Sequence, residues 1–160
     1  MKSPFNTPLE TGIRSLAVLM AIFPQSLDLE HITFFDYLTL HSGDVQGPES
    51  LHAPLPLRSG ELTIRRELIE RGLLLMMSRG LIEMLPTSDG FQYLVTDAAG
   101  AFFSMLSSQY ISKLKERAEW VVETFGESTP EELNVVKQQF FREWSTQFYS
   151  FERVGRNRTI

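Results

Sequence analysis

The sequence predicts a mainly α-helical protein, in which a winged helix-turn-helix domain with a two-stranded wing precedes a C-terminal helical hairpin. A long helical segment ends before Gly80, and two runs with alternating apolar residues follow it, at 81–85 and 91–95. The pair Asp89-Gly90 between these runs is a strong turn signal. A new helical segment begins near Ala98. Helix, short hairpin and helix in this order are typical of winged-helix domains, which dock on DNA or on another protein.

Three parts are expected along the 160 residues. Residues 1–106 would form the winged-helix domain, with an extended arm over residues 1–10 and a long loop over residues 43–60. Residues 107–152 would form the C-terminal pair of helices, and residues 153–160 a basic tail. The long loop contains three prolines and three glycines. This composition excludes a regular helix, and the length indicates an ordered or functional loop.

The first two helices are predicted from their apolar periodicity and their end signals. The first begins near Thr11 and ends before Pro24. The second begins at Ser26 or Asp28, which are both good N-cap residues, and ends near Gly43, which would suit a left-handed cap.

The third helix is predicted from Gly60 to Arg79. Gly72 inside it costs about 1 kcal/mol relative to alanine, which suggests that another backbone packs closely there. Arg65 lies on the apolar side, where an unpaired charge is unfavourable. We therefore expect Arg65 to pair with Asp36 or Glu49 and so to pin the long loop to this helix.

The C-terminal region carries two further helical patterns. A helix from about 107 to 125 would bury one stripe, formed by Ile111, Leu114, Ala118, Val121 and Phe125. The segment Thr129-Pro130-Glu131-Glu132 predicts the start of a last helix, which would run to about Phe151.

Composition and motifs argue against several classes of function. The net charge of −5 disfavours a free-standing DNA-binding protein, because phosphate neutralisation supplies much of the affinity for DNA. The absence of cysteine excludes thiolate metal sites, and His41, Asp44 and His52 match no standard zinc spacing. We therefore expect no enzyme activity, no cofactor, no metal and no small-molecule substrate. No apolar run is long enough to span a membrane, so we expect a cytoplasmic protein without membrane contact.

Partner-binding residues are predicted in three regions, and each set has a structural alternative. The candidates are Asp44, Glu49, His52 and Arg58 in the loop, Arg65 and Arg66 on the third helix, and Phe141, Trp144 and Tyr149 near the C-terminus. The arginines of the third helix could instead pair with glutamates one turn away. The aromatic residues could instead fill the core, although exposed aromatic clusters usually mark interfaces.

Several segments resemble the small middle component of bacterial ABC-three-component systems, which overlap the Lamassu-type defence systems. The resemblance covers roughly residues 4–83 and rests on segments 4–14, 36–44, 47–52, 56–62 and Arg65-Arg66. It implies a non-enzymatic adaptor that sits on an ATPase of the SMC and Rad50 class. The adaptor would link this ATPase to an effector, often a nuclease, in a complex that senses phage or plasmid DNA.

Two functional hypotheses therefore stand side by side. In the first, the chain is an adaptor subunit that works through protein contacts and meets DNA only through its complex. In the second, it is a stand-alone dimeric winged-helix transcription regulator that reads a palindrome with its third helix. Glu61, Glu67 and Glu70 on that helix disfavour the second hypothesis, because they would repel phosphate.

Overall fold

The computed structural model describes residues 7–52, 61–129 and 131–138. Its elements are helices α1 (Pro8–Ile22), α2 (Leu29–Leu40), α3 (Glu61–Ser78), α4 (Ala98–Ser104) and α5 (Gln109–Phe125), a 3-10 turn at Ser42–Val45, and strands β1 (Ile82–Thr87) and β2 (Gly90–Val95). Residues 131–138 are also helical. The protein is mainly α-helical with a two-stranded antiparallel sheet, as predicted.

Helix α1 begins earlier than predicted, so the extended arm cannot include residues 8–10. The Thr7 side chain accepts a hydrogen bond from the Glu10 amide at 3.3 Å and caps the helix. Pro8 occupies the first turn, where a missing N–H costs nothing. The predicted extended arm over residues 1–10 is therefore wrong for residues 8–10, because proline is well suited to the first turn of a helix.

Helix α1 forms the centre of the core and packs against α2, α3, α4, α5 and β2. Its residues from Thr11 to Leu19 are all buried, including polar ones. A helix that is buried all round needs close neighbours, and the closest is α3. A Cβ atom on Gly72 would lie 2.6 Å from the backbone nitrogen of Gly12. The predicted close approach at Gly72 is therefore confirmed, and its partner is Gly12 of α1.

Helix α2 begins at the predicted N-cap Asp28, whose side chain accepts from the His31 amide at 2.7 Å. It ends at His41, and the chain continues into the 3-10 turn that contains Gly43. The left-handed residue of this region is Gln46, with φ of 60°, so the left-handed cap predicted at Gly43 is wrong. Because the turn absorbs Gly43 in a right-handed conformation, the reversal occurs three residues later.

The hairpin forms with the predicted turn. Thr87 pairs with Gly90, which has a φ of 114°, and Ile82 pairs with Val95 at the other end of the ladder. Positive φ is easily reached only by glycine, which explains Gly90. On its outer side β2 pairs with the link between α1 and α2: the Leu27 amide donates to the Tyr93 carbonyl, and the Tyr93 amide donates to Leu27, at 3.1 and 2.7 Å.

Helix α5 follows the hairpin and α4 and packs on α1 and α2. Ser108 caps it, and the predicted apolar stripe buries Leu114, Ala118 and Val121. The Thr129 hydroxyl accepts from the Glu132 amide at 3.2 Å, as expected for the predicted helix start. The remainder of the last predicted helix and the tail lie outside the described residues.

Candidate functional site

The segment from His41 to His52, called here the clamped loop, is ordered by its own hydrogen bonds. The Ser42 hydroxyl donates to the Pro48 carbonyl at 2.8 Å, and the Gly43 amide donates to the Ser50 hydroxyl at 2.9 Å. The amides of Leu51 and His52 both donate to the carbonyl oxygen of Leu40, at 3.0 and 3.2 Å. These bonds return the chain to the C-terminal end of α2, so this part of the long loop is compact.

Three residues on one side of α5 hold the clamped loop. Tyr110, Arg117 and Trp120 are spaced by seven and three residues, which places them on the same side of a helix. The Tyr110 hydroxyl lies 2.8 Å from Nε2 of His52, and Nε of Arg117 donates to the Glu49 carbonyl at 3.0 Å. A Cβ atom on Gly47 would overlap the Trp120 indole, so glycine permits this contact. The loop is therefore attached to a core helix at three points.

The side chains of Asp44, Gln46 and Glu49 are exposed on the clamped loop. Tyr37 donates from its hydroxyl to the Asp44 carboxylate at 3.3 Å, which orients that side chain. The structure thus brings together three of the predicted partner-binding residues: Asp44, Glu49 and His52. His52 is half-buried, and its ring stacks on Tyr110.

A buried group of charges lies beside the clamped loop. Asp36 of α2 is completely buried, and its two carboxylate oxygens accept from Nε of Arg14 and from Nη1 of Arg65, each at 2.7 Å. The predicted pairing of Arg65 with Asp36 is confirmed, and the guanidinium of Arg65 also lies over the Tyr37 ring. Because Asp36 belongs to α2, Arg65 ties α3 to α2. The prediction that Arg65 pins the long loop to α3 is therefore wrong.

Sequence reasoning missed Arg14 as a member of this charge group. The available signal was its position among the apolar residues of α1, the same signal that singled out Arg65. Burial by itself would raise the pKa of Asp36, but the guanidinium groups of Arg14 and Arg65 hold it below its usual range. The carboxylate is therefore ionised at neutral pH, and α1, α2 and α3 are joined through one charged side chain.

The buried imidazole of His41 lies against this charge group. Its ring is tilted on Tyr37, with centroids 4.7 Å apart, and approaches His52 edge-on. Within the described residues, Nδ1 of His41 has no hydrogen-bond partner. Burial, followed by the positive charge of Arg65, lowers the pKa of His41 to about 4. His41 is therefore neutral at physiological pH.

We expect stability to fall as the pH drops from about 6.5 to about 4. Over this range the unfolded His41 binds a proton that the folded state excludes, so the stabilisation is present above the unfolded pKa and is lost on acidification. The loss reaches about 3 kcal/mol at 1.36 kcal/mol per pKa unit. Urea unfolding across this pH range measures the slope. His41→Phe should flatten it, leaving a smaller slope from His52, whose pKa burial also lowers. An unchanged slope in that variant would contradict the assignment.

Of the remaining predicted site residues, the structure describes only Arg66. Arg66 is exposed on α3, and the described residues contain no ion pair within 4 Å between Arg66 and Glu70 or between Arg71 and Glu67. Four predicted site residues lie outside the described residues: Arg58, Phe141, Trp144 and Tyr149.

No set of three or more His, Asp or Glu side chains in the described ranges is arranged to hold a metal ion. None of the helices described is both long and apolar enough to cross a bilayer.

Comparison with known proteins identifies the family. The model of the family described as ABC-three component (ABC-3C) system Middle Component 2 matches residues 4–147. The comparisons with curated proteins and with solved structures found no match. The family match extends well beyond the 4–83 region that carries the sequence resemblance, and it includes the hairpin, α4 and α5. The chain therefore belongs to the family of middle component 2 of ABC-three component systems.

Proposed function

We propose that this protein is a non-enzymatic winged-helix adaptor, which links an SMC- or Rad50-like ATPase to an effector nuclease in a defence complex of the Lamassu type. Family membership makes the chain a middle component of a multi-subunit system, so protein partners are implied. The identity of the partners, the defence role and the adaptor activity are the proposal. DNA would be met through the assembled complex.

The winged-helix part of the proposal is supported by the order of the elements. Helix α1 is followed by the short bridge at Leu27, then by α2, α3, β1 and β2, and the bridge pairs with β2. A winged helix has this arrangement, in which a short strand between the first two helices adds to the hairpin. The close contact between Gly12 and Gly72 places α3 directly on α1, as the third helix of such a domain requires.

The observation that carries the adaptor role is the clamped loop. A surface loop without regular secondary structure would ordinarily lose much conformational entropy on binding a partner. Here that entropy is lost during folding, because the loop is held by internal hydrogen bonds and by Tyr110, Arg117 and Trp120 of α5. A rigid loop with exposed polar groups is a preorganised binding surface.

The surface of α3 does not favour the transcription-regulator hypothesis. Its exposed residues combine Arg66 and Arg71 with Glu67 and Glu70, so the positive and negative charges balance. Exposed Ile64 and Leu74 lie on the same helix. A helix that reads DNA through phosphate contacts needs a positive excess, whereas this mixture of apolar and balanced charged residues suits a protein interface.

The proposal predicts that the clamped loop is required for assembly. The tagged protein is co-expressed with the products of its neighbouring genes, purified, and analysed by mass spectrometry. The wild-type protein should recover a large coiled-coil ATPase and a second subunit in stoichiometric amounts. The double variant Asp44→Lys with Glu49→Lys should lose at least tenfold in recovered ATPase, since reversed charges at an interface are strongly unfavourable.

A matched control separates the loop from the overall charge. The variant Glu119→Lys with Glu131→Lys makes the same change in net charge at two other exposed positions and should assemble normally. Asp44→Lys removes an acceptor of the Tyr37 hydroxyl, and Glu131→Lys places a positive charge in the first turn of a helix. Both double variants should therefore unfold at a slightly lower temperature than the wild type but remain folded in the assay. Normal assembly of the loop variant would refute the loop assignment. Recovery of a DNA-bound homodimer without any ATPase would refute the adaptor and favour the regulator.

A further inference from the structure

The far end of the hairpin, residues 84–91, is called here the wing tip, and it exposes apolar side chains on both faces. Residues directly opposite each other in an antiparallel pair share a face. Met84 lies opposite Tyr93 and Pro86 opposite Phe91, so these four share the face whose inner end, at Ile82 and Val95, is buried in the core.

Beyond the core, this face is left uncovered by the described residues. Met84 is 43% exposed and Phe91 is 55% exposed, and Pro86 is exposed beside them. Leu85 on the opposite face is 38% exposed. Contiguous exposed apolar patches are uncommon on monomeric proteins, and the larger ones mark interaction sites.

The charges of the wing show which kind of partner fits it. Between Arg79 and Lys113 the sequence contains no lysine or arginine, whereas Glu83, Asp89 and Asp97 are acidic. At the base of the wing, burial and then the Glu70 carboxylate of α3 raise the pKa of Tyr93, while Arg66 of α3 lowers it. The charged side chains of the hairpin itself, Glu83 and Asp89, are both acidic, so the wing tip presents an apolar surface beside negative charges.

This charge pattern argues against nucleic acid as the occupant of the wing tip. Proteins that insert apolar side chains between base pairs surround them with lysine and arginine, which neutralise the phosphates. A second copy of the same wing would also be unsuitable, because it would bring like charges together. The complementary surface is an apolar protein groove with basic residues along its rim.

We propose that the wing tip inserts Phe91 and Met84 into an apolar groove of a partner subunit, and that lysine or arginine side chains on the groove rim face Glu83 and Asp89. This inference rests on the proposed adaptor function and deepens it, because it assigns the wing to protein contact and not to DNA contact. The clamped loop and the wing tip are then two separate contact regions of one adaptor.

Photo-crosslinking in the assembled complex tests the wing directly. The photoreactive residue p-benzoylphenylalanine replaces Phe91 in the full chain, which is co-expressed with the neighbouring gene products and irradiated with and without DNA. Met105 is the matched control site, because it is 81% exposed and apolar but lies at the end of α4. We expect a crosslink from position 91 to a protein subunit, with little crosslinking from position 105.

Two variants measure how much Phe91 contributes to binding and whether the rim of the partner's groove is basic. Phe91→Ser should weaken binding of the partner subunit to the adaptor by about thirtyfold, as expected for an aromatic residue at the centre of an interface. Met105→Ser should leave binding unchanged. Glu83→Lys with Asp89→Lys should weaken binding further as the salt concentration is lowered, because the introduced lysines would repel a basic rim.

The outcomes separate this inference from the adaptor proposal. If the complex assembles but position 91 crosslinks to DNA, or no more than position 105, the wing assignment is overturned and the adaptor remains. Normal binding by Phe91→Ser has the same consequence. If the wild-type protein recovers no ATPase or effector subunit, the adaptor proposal fails, and the wing assignment fails with it.

Discussion

Replacement of Asp36 by asparagine should destabilise the protein by about 3 to 5 kcal/mol, the largest effect that we expect from a single side-chain change. The substitution keeps the size of the side chain but removes the charge that lies between Arg14 and Arg65. Breaking a buried ion pair from one side leaves an uncompensated charge, and the resulting penalty is of this order. Since small domains are stable by only about 5 to 15 kcal/mol, a large part of the stability would be lost.

Urea unfolding at pH 7, followed by circular dichroism, measures this effect. Glu30→Gln is the matched control, because Glu30 pairs with Lys137 at 3.8 Å and its side chain is 75% exposed. Exposed pairs contribute about 0 to 1 kcal/mol, so the control should unfold almost as the wild type does. A change below about 1 kcal/mol for Asp36→Asn would show that the group contributes little to stability.

Addition of one methyl group at Gly72 should destabilise the protein by about 3 kcal/mol. In Gly72→Ala the new Cβ would lie 2.6 Å from the nitrogen of Gly12 and 3.0 Å from its Cα. Both are backbone atoms of the buried part of α1, which cannot move without disturbing the core. Overpacking costs typically 1 to 3 kcal/mol and more where the backbone must shift, which outweighs the gain in helix propensity of about 1 kcal/mol.

Gly100→Ala provides the opposite control within the same protein. Gly100 lies in α4, is exposed, and a Cβ atom there would meet nothing within 4 Å. Only the helix propensity should change, so this variant should gain about 0.5 to 1 kcal/mol. Thermal unfolding of both variants gives the comparison. Equal stability of Gly72→Ala and the wild type would contradict the close helix crossing.

Local signals predicted most of the secondary structure and part of the site. Asp28 and Thr129 are caps whose side chains act within three residues, so sequence alone places them. The turn before Gly90 is equally local. The predicted arm ran too far, to residue 10, because a proline can precede or begin a helix, and the capping by Thr7 decides that α1 begins at Pro8. The left-handed residue was misplaced because a 3-10 turn extended α2.

The site depends on contacts between residues distant in sequence, and this limited its prediction. Arg65 was recognised because a charge on an apolar helix face requires a partner, and Asp36 was among the candidates. The attachment of the clamped loop to α5 could not be predicted, because Glu49 contacts Arg117, and Gly47 contacts Trp120, across about 70 residues. Such contacts leave no periodic signal in the sequence.

The sequence by itself determined the order of the helices and the hairpin, the family, and the need of Arg65 and Gly72 for close partners. Only the tertiary structure decided that Gly12 meets Gly72, that Arg14 and Arg65 share Asp36, and that the loop rests on α5. The physical reason is the distance along the sequence over which each kind of interaction acts. Caps, turns and amphipathic stripes arise from interactions within a few residues, whereas helix crossings and buried ion pairs arise when the core forms and selects among several possible partners.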